Sequence, residues 1–178
     1  MKLTACELCE TDGGEVLFRH PDYRVVRVTG AEGDAYRGFC RVIWNHHIAE
    51  MSDLTHVEQA TLMAAVFQLE SALRAALKPD KINLASLGNM TPHLHWHVIP
   101  RFRHDETFPK PIWAAGVSPA RSPSTPPSAP PDQPSNSNAD SHVHFNVNWA
   151  QHVQEALMNG MAPAIHLKPG NPDIPALK

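Results

Sequence analysis

Three histidines separated by single apolar residues offer the clearest chemistry in this 178-residue sequence. They are His93, His95 and His97, and the residues between and after them are Leu94, Trp96 and Val98. Strict alternation of this kind predicts a half-buried strand, on which side chains two residues apart share one face. We therefore expect three imidazoles along one face over roughly 13 Å, since a strand rises about 3.3 Å per residue. The apolar residues should face a core.

A neutral imidazole is a competent nucleophile near pH 7 when one ring nitrogen keeps its lone pair and the other donates a hydrogen bond that fixes the tautomer. The middle histidine, His95, is best placed for that role, because an imidazole on either side can position a substrate. Two alternatives stay open. The histidines can be solvated or hydrogen-bonded strand residues, or a His-x-His pair can supply zinc ligands of a metal-dependent hydrolase if a further ligand converges on it.

The remaining patterns predict a mixed α and β domain. Runs rich in β-branched and aromatic residues predict four more strands, at residues 16–18, 23–28, 37–44 and 81–86. One long helix is expected over 55–77, because residues 55–58 have the form of a capping box, apolar residues recur at helical spacing and Pro79 follows. A turn at 88–89 should make the fourth strand the antiparallel neighbour of the histidine strand. We predict an α+β fold with an antiparallel sheet of about five strands.

The last third of the sequence has a different composition. Residues 116–141 hold seven prolines and seven serines with almost no large apolar side chain. Such a segment cannot bury enough surface to offset its ordering entropy, so it is predicted to be a disordered linker. Beyond it, Trp149, Val153 and Leu157 recur at helical spacing and predict a short helix that docks on the domain. The predicted division is a catalytic domain at 1–115, a linker at 116–141 and an extension at 142–178.

Charge and cysteine content narrow the class of protein. A formal net charge of −3 gives no general attraction for nucleic acid or an anionic membrane, and the apolar runs are short for a membrane span. The residues before Cys6 resemble a lipoprotein cleavage box but follow no apolar segment, so secretion is not expected. Cys6 and Cys9 form a CxxC pair, which is typical of metal ligands or of thiols in a reducing compartment. We expect a cytoplasmic protein.

The motif His-φ-His-φ-His-φ-φ, where φ is apolar, fits residues 93–99 in full. On this motif the sequence resembles the histidine-triad family of nucleotide hydrolases and transferases. Its flanks are similar to the bacterial branch, which includes dinucleoside polyphosphate hydrolases, and they occur in the expected order: 47–54, 83–89, 100–101 and 108–113. The resemblance covers about residues 5–115 and says nothing about 116–178.

The resemblance implies that His95 attacks the α-phosphorus of an adenosine-type nucleotide, either a dinucleoside polyphosphate or a phosphoramidate. A nucleotidyl-histidine forms, and water or another acceptor resolves it. His97 is then expected to act on the leaving group or the transferred phosphate, beside His93. Asn83 and Asn89 match positions near the α-phosphate, where their amides can donate to a developing oxyanion. A homodimer and the need for no catalytic cofactor are also implied.

Some members of the family carry a structural zinc, and the matching residues here would be Cys6, Cys9, His47 and His93. Such an ion would pin the N-terminal segment beside the histidine strand and leave His95 free for chemistry. His46 competes with His47 as the ligand, and free thiols at a surface turn are the alternative for the cysteines. Cys40 is expected to be a small buried residue.

Three further expectations concern function and flanking residues. The leading function has two rivals: a nucleotide-binding regulatory module without significant turnover, and the metal-dependent hydrolase described above. Trp113 is expected more in the core than at the nucleotide. Arg101 is expected either to reach phosphate or to lie at an exposed strand end.

Overall fold

The computed structural model describes residues 6–114 and 141–160, with side chains in the second range from Trp149 onward. One antiparallel sheet of five strands forms its centre, in the order β1-β2-β3-β5-β4. The strands are β1 Glu15–Arg19, β2 Tyr23–Arg27, β3 Cys40–Trp44, β4 Lys81–Ala85 and β5 His95–Arg101. Four helices accompany them in the described ranges: α1 Glu7–Glu10, α2 Gly30–Ala35, α3 His56–Leu77 and α4 Ser141–Gly160. The predicted α+β architecture is confirmed.

The long helix α3 begins and ends where the sequence predicts. The Thr55 hydroxyl accepts the Glu58 backbone N–H and the Glu58 carboxylate accepts the Thr55 N–H, so a capping box fixes the start. Lys78 ends the helix in the left-handed conformation, one residue before Pro79. Its buried stripe packs on the sheet and consists of Leu62, Ala65, Val66, Leu69, Ala72, Leu73 and Leu77.

Pairing register assigns each strand residue to one of two sheet faces. On the first, here called the helix face, Val25, Val42 and Val98 are completely buried beneath α3. Residues paired directly across an antiparallel ladder share a face, so Arg41, which pairs with His97, lies with the histidines on the second, the histidine face. As predicted, the apolar residues between the histidines turn away from them: Leu94 and Val98 enter the core and Trp96 packs against it.

Helix α3 also meets the length and composition of a membrane span. The sequence pattern had suggested no apolar run long enough for one. In the fold, however, Leu62, Val66, Leu69 and Leu73 of this helix are completely buried in the core between α3 and the sheet. A core helix of a globular domain passes the same test of length and composition, and this packing identifies α3 as one.

Several boundaries differ from the prediction. Strand β5 starts at His95 instead of His93, and β3 starts at Cys40 instead of Arg37. The short helices α1 and α2 were not predicted, because neither carries an apolar periodicity long enough to indicate a helix. Helix α4 runs over 141–160, longer than the short helix expected, and it packs on α3 and β1 through Trp149, Val153 and Leu157. Apart from residue 141, the predicted linker lies outside the described ranges.

Candidate active site and metal site

The three histidines are buried but do not act as one row. His93 is 1% exposed, His95 7% and His97 5%. His93 precedes β5 and turns its ring toward the N-terminal segment, whereas His95 and His97 lie on the strand and contact each other. The structure therefore divides the predicted row of imidazoles into a pair and a single residue with a different environment.

Two hydrogen bonds fix the protonation of the pair. His95 Nδ1 lies 2.6 Å from the carbonyl oxygen of His93, and a carbonyl can only accept, so Nδ1 carries the hydrogen. In a neutral ring Nε2 then keeps its lone pair. His95 Nε2 lies 3.0 Å from His97 Nε2, so His97 must be the donor in this contact. The pair has one nucleophilic nitrogen, on His95, and one N–H directed at it, on His97.

Burial keeps both rings neutral. Desolvation lowers the pKa of His95 below its usual value, opposed by its hydrogen bond to the His93 carbonyl. Desolvation, together with smaller effects of the neighbouring His95 and Arg41, lowers the pKa of His97 to about 3. At neutral pH His97 is thus a hydrogen-bond donor through Nε2, without a positive charge.

The pair opens on a cavity of about 520 Å³, within the range of roughly 300–1,000 Å³ typical of small-molecule sites. Besides the two histidines, its lining comprises Glu7, Leu8, Glu32, Arg41, Leu87, Gly88, Asn89, Met90, Thr91 and Trp113. A second cavity of about 380 Å³ shares Glu7, Glu32 and Arg41 with the first and extends to Thr11, Asp12, Gly13 and Gly14. The histidine face therefore carries one cavity with a mixed apolar and polar lining at the histidine pair, and a more polar one beyond Arg41.

The two asparagines named from the sequence occupy different places. Asn89 is exposed and lines the cavity with His95 and His97. Asn83 lies on β4 opposite Ile99, and its side-chain oxygen accepts a hydrogen bond of 3.0 Å from Arg101. The structure thus brings Asn89 to the histidine pair, while Asn83 is not among the residues that line the cavity.

Arg101 and Trp113 differ from their expected positions. Arg101 is 1% exposed, and its guanidinium bonds Asp105, Asn83, Thr107 and the Lys110 carbonyl, so it ties the end of β5 to the following segment. It is neither exposed nor at the cavity. Trp113 is 42% exposed, and its ring centroid lies 4.8 Å from that of His97. This tryptophan walls the cavity instead of filling the core.

Cys6, Cys9, His47 and His93 form a second cluster, in which the four possible ligand atoms lie within 4.8 Å of one another. His93 Nδ1 is 3.4 Å from Cys6 Sγ and 3.5 Å from Cys9 Sγ, and His47 Nδ1 is 3.4 Å from Cys9 Sγ. Tetrahedral zinc with bonds of about 2.3 Å to sulfur and 2.0–2.1 Å to nitrogen requires S···N edges of about 3.5 Å. The donor set and its spacing therefore fit a structural zinc.

The surroundings of this cluster also favour a metal. His93 Nε2 donates to the Trp44 carbonyl at 2.7 Å, which leaves Nδ1 bare toward the thiols. Burial raises the pKa of the Cys6 thiol, since a buried thiolate is costly. A bound cation would offset the cost of this charge, because thiols that ligate a metal are deprotonated. His46 is exposed and outside the cluster, so the geometry selects His47 over His46. The cysteines are buried and are not thiols of a surface turn, and Cys40 is buried in the core as predicted.

Arg24 holds the CxxC segment against the sheet. This arginine is 6% exposed and donates to the carbonyls of Leu8 at 2.7 Å, Asp12 at 3.0 Å and Thr11 at 3.2 Å. Those carbonyls lie within α1 and directly after it, where the end of a helix leaves acceptors without partners. The sheet itself therefore positions both cysteines beside His93.

Comparison with known proteins identifies the family of this chain. A family model described as HIT domain matches residues 16–104, which is half of the sequence. This chain is a member of the HIT domain family. The match includes all three histidines and His47, while the CxxC segment and Trp113 lie outside it.

Individual members of the HIT family show similar folds. The chain is 30% identical over 88 residues to the AP-4-A phosphorylase of Mycobacterium tuberculosis, and the alignment spans 46% of this chain and 45% of that relative. It therefore matches about half the length of this curated protein. A histidine triad protein of Bradyrhizobium japonicum aligns over 83% of this chain and 90% of its own, with 26% identity and a TM-score of 0.55. One from Marinobacter aquaeolei covers 89% and 98%, with 19% identity and a TM-score of 0.61, and shows likeness of fold alone.

Three residues that line the cavity were not predicted from the sequence to belong to the site. Arg41 was assigned only to a strand, Glu32 lies on the unpredicted helix α2, and Trp113 was expected in the core. One available signal was Arg41 itself, a charged residue inside the otherwise apolar run 39–44. Glu32 carried no comparable signal, because it is one of several acids in a polar segment and reaches the site only through the fold.

Proposed function

We propose that this protein cleaves adenosine-type nucleotides at the α-phosphate through a nucleotidyl-histidine intermediate on His95. The observation that carries the proposal is the hydrogen bond of 2.6 Å from His95 Nδ1 to the His93 carbonyl, which leaves the Nε2 lone pair free. Membership of the HIT family and a relative named for action on AP-4-A support nucleotide processing in general. The hydrolase assignment and the substrate class are part of the proposal.

The reaction follows from the chemistry of the pair. His95 Nε2 attacks the α-phosphorus, an N–P bond forms, and the bond from phosphorus to the leaving group breaks with the electron pair on the leaving atom. The His97 Nε2–H, released from His95, donates to a phosphate oxygen or to the leaving atom. Asn89 can add an amide donor from the cavity wall. Water or another acceptor then attacks phosphorus, the N–P bond breaks with its electron pair on Nε2, and the proton of the acceptor is released to solvent. Asn83 is assigned a contact that supports Arg101 instead of a contact with phosphate.

The metal cluster has a structural part in this proposal. Cys6, Cys9, His47 and His93 would hold zinc, which would tie the N-terminal segment to the residue whose carbonyl orients His95. Among residues 6–114 and 149–160, the possible ligands that converge are these four, and neither His95 nor His97 belongs to the group. That geometry favours covalent histidine chemistry over the metal-dependent hydrolase.

The decisive experiment is intact-protein mass spectrometry after rapid, acid-free quenching of a single turnover of adenosine 5′-phosphoramidate. Wild-type protein should gain one adenylyl group, localised to His95, and His95→Ala should gain none. Turnover should fall by at least about 10³-fold in His95→Ala, as expected for loss of a nucleophile, while nucleotide binding persists. His104→Ala, which alters an exposed histidine, is the matched control.

Other results would point elsewhere. Turnover by both proteins without an adduct at any quench time contradicts the nucleophile assignment. Binding without turnover in the wild type supports the regulatory module. Turnover that stops on chelation while the protein remains folded supports the metal-dependent hydrolase.

A homodimer, a cytoplasmic location, and the absence of nucleic-acid or membrane partners remain predictions. So does the division into a catalytic domain, a linker and an extension. Size-exclusion chromatography with light scattering tests the dimer, and a monomer at micromolar concentration would contradict it.

A further inference from the structure

We propose that Arg41 is the phosphate-chain anchor of the cavity and that Glu32 competes with phosphate for it. This inference rests on the proposed function and adds to it a binding residue and a basis for substrate choice. The ligand chemistry is a phosphate group beyond the α-phosphate. It can belong either to the leaving chain or to free orthophosphate that accepts the adenylyl group.

Arg41 reaches the cavity from the strand next to the histidines. It pairs with His97 across β3 and β5, so both side chains stand on the histidine face. Arg41 also borders both cavities, together with Glu7 and Glu32. A phosphate chain that starts at His95 and continues into the second cavity must therefore pass the guanidinium.

Charge singles out this residue. Among the described residues that line either cavity, Arg41 is the one side chain with a permanent positive charge. The two histidines of the pair are neutral, whereas Glu7, Asp12 and Glu32 are acidic. A ligand with several negative charges would therefore find a single cation here, and the adjacent carboxylates would repel it.

The guanidinium has spare hydrogen-bonding capacity. Nη2 donates to Glu32 at 3.2 Å and Nη1 to the Gly13 carbonyl at 3.4 Å, both near the long end of such contacts. Nε is buried and has no acceptor among the residues that the structure describes. An arginine has five N–H donors in a planar fork. Besides the buried Nε–H, one N–H on each terminal nitrogen has no acceptor among the described residues, and two such donors fit a phosphate in a bidentate manner.

Glu32 holds the arginine and a wall of the cavity at the same time. One carboxylate oxygen accepts from Arg41, and the other accepts from Trp113 Nε1 at 2.9 Å. The Phe39 ring lies under the guanidinium at 5.6 Å from its centroid and orients it toward the cavity. Phosphate binding to Arg41 would replace the contact with Glu32, so the carboxylate weakens binding of the chain by competition.

The test combines binding and turnover so that the two proposals can fail separately. Calorimetry with inorganic tripolyphosphate needs no turnover. We expect Arg41→Gln to weaken tripolyphosphate binding about 10- to 100-fold, the usual effect of losing charge-assisted hydrogen bonds, and Arg41→Lys to restore part of it. Glu32→Gln should tighten binding several-fold, because glutamine still accepts the Trp113 N–H but no longer neutralises the arginine.

Turnover with two substrates shows whether the anchor serves the reaction. Diadenosine tetraphosphate has a phosphate chain as leaving group, and an adenosine phosphoramidate of a neutral alkylamine has none. Arg41→Gln should reduce kcat/KM about 10- to 100-fold for the first and less than about 3-fold for the second. Arg27→Gln is the control, since Arg27 also pairs with a glutamate, Glu15, but on the helix face.

The reaction products show whether Arg41 binds the leaving phosphate chain or an orthophosphate acceptor. With orthophosphate present, attack of its oxygen on the adenylyl phosphorus releases His95 and gives ADP, whereas water gives AMP. A lower ratio of ADP to AMP in Arg41→Gln assigns the site to the acceptor. An unchanged ratio with selective loss on the tetraphosphate assigns it to the leaving chain.

Two results would overturn the inference. One is equal tripolyphosphate binding by wild type and Arg41→Gln, or no binding by either. The other is an equal loss of turnover on both substrates without a change in product ratio, which would make Arg41 a support of the fold. Absence of an adduct on His95 together with Arg41-dependent binding would refute the proposed function alone.

Discussion

A single hydrogen between two imidazole nitrogens determines which ring of the His95–His97 pair keeps a free lone pair. The His93 carbonyl takes the Nδ1–H of His95, so His97 has to supply the N–H that joins the pair. Its other nitrogen, Nδ1, is buried without a partner among the described residues. A bare acceptor in such a place is tolerable, whereas a protonated Nδ1 would be a buried cation without a counter-charge. The surroundings of His97 therefore oppose its protonation on two sides.

This arrangement predicts a specific dependence of stability on pH. The pKa of folded His97 is about 3, against about 6.5 in an unfolded chain. The unfolded state thus binds a proton that the folded state refuses, so His97 costs no stability above pH 6.5 and an increasing amount as the pH falls toward 3. The unfolding free energy of wild type should fall with decreasing pH below pH 6. In His97→Asn the slope of this decrease should be smaller by up to about 1.4 kcal/mol per pH unit.

Urea denaturation at intervals between pH 5 and 7.5, at one zinc concentration, measures this difference. The exposed His104 provides the control, and His104→Asn should give a curve parallel to that of wild type. Metal binding to His93 varies with pH in all three proteins alike, so it does not enter the comparison. Parallel curves for wild type and His97→Asn would contradict the low pKa.

At the scale of elements, α4 is part of the same core as α3. Trp149, Val153 and Leu157 are at most 3% exposed, and Gln68 on α3 donates to the Ala156 carbonyl at 3.2 Å. Leu157→Ala should lower the free energy of unfolding by about 2–5 kcal/mol, the usual range for a buried leucine. The neighbouring Met158 is 60% exposed, so Met158→Ala should change it by less than about 0.5 kcal/mol.

Denaturation of the full chain in urea tests that pair of variants. Because α4 contacts α3 and β1, the loss should appear in the single main transition and not as an early separate step. If both variants match wild type, α4 does not stabilise the domain, and the extension is to be treated as an independent segment.

The same scale shows which elements a sequence can predict. Strand β5 and helix α3 were predictable because each has a sustained apolar periodicity, and in α3 a capping box also marked the first residue. Helix α2 was not, since its six residues, GAEGDA, include two glycines and none is buried. The length of α4 was underestimated because its first turns lie next to the serine- and proline-rich stretch and lack the apolar spacing that marks the later part.

Site residues divide in a similar way. His95 and Cys9 are parts of short motifs whose spacing alone suggests their chemistry. Arg41, Glu32 and Trp113 meet only because β3, α2 and the segment after β5 converge at one edge of the cavity. Contacts between residues so far apart in sequence depend on sheet order, which local patterns do not determine.

At the scale of the whole molecule, the CxxC segment is joined to the sheet by Arg24 and by the contacts of its cysteines with His47 and His93, a cluster for which we propose zinc. A ligand that binds only the folded state stabilises it in proportion to the logarithm of its concentration over Kd. When the free zinc concentration is 100 to 1,000 times Kd, this stabilisation amounts to roughly 3–4 kcal/mol. Removal of zinc by a chelator should therefore lower Tm by roughly 5–15 °C.

Differential scanning fluorimetry with and without chelator, together with metal analysis of the purified protein, tests this expectation. Cys9→Ser should bind less than one zinc per chain and show a smaller response to chelator, whereas Cys40→Ser, which alters a thiol on the helix face outside the cluster, should keep its zinc. A wild-type protein that contains no zinc and whose Tm does not respond to chelator would contradict a structural zinc at this cluster.

Alternation along β5 has a consequence for insertions and deletions. Leu94, Trp96 and Val98 pack in or against the core, whereas His95 and His97 between them line the cavity. Loss or gain of a single residue within 94–98 would exchange the two sets over the rest of the strand, placing an indole where an imidazole stands and imidazoles inside the core. Residues 86–92 follow no such alternation, and Asn89 and Met90 there are exposed. The chain can therefore absorb a change of length in the segment before the histidine pair but not within the strand that carries the pair.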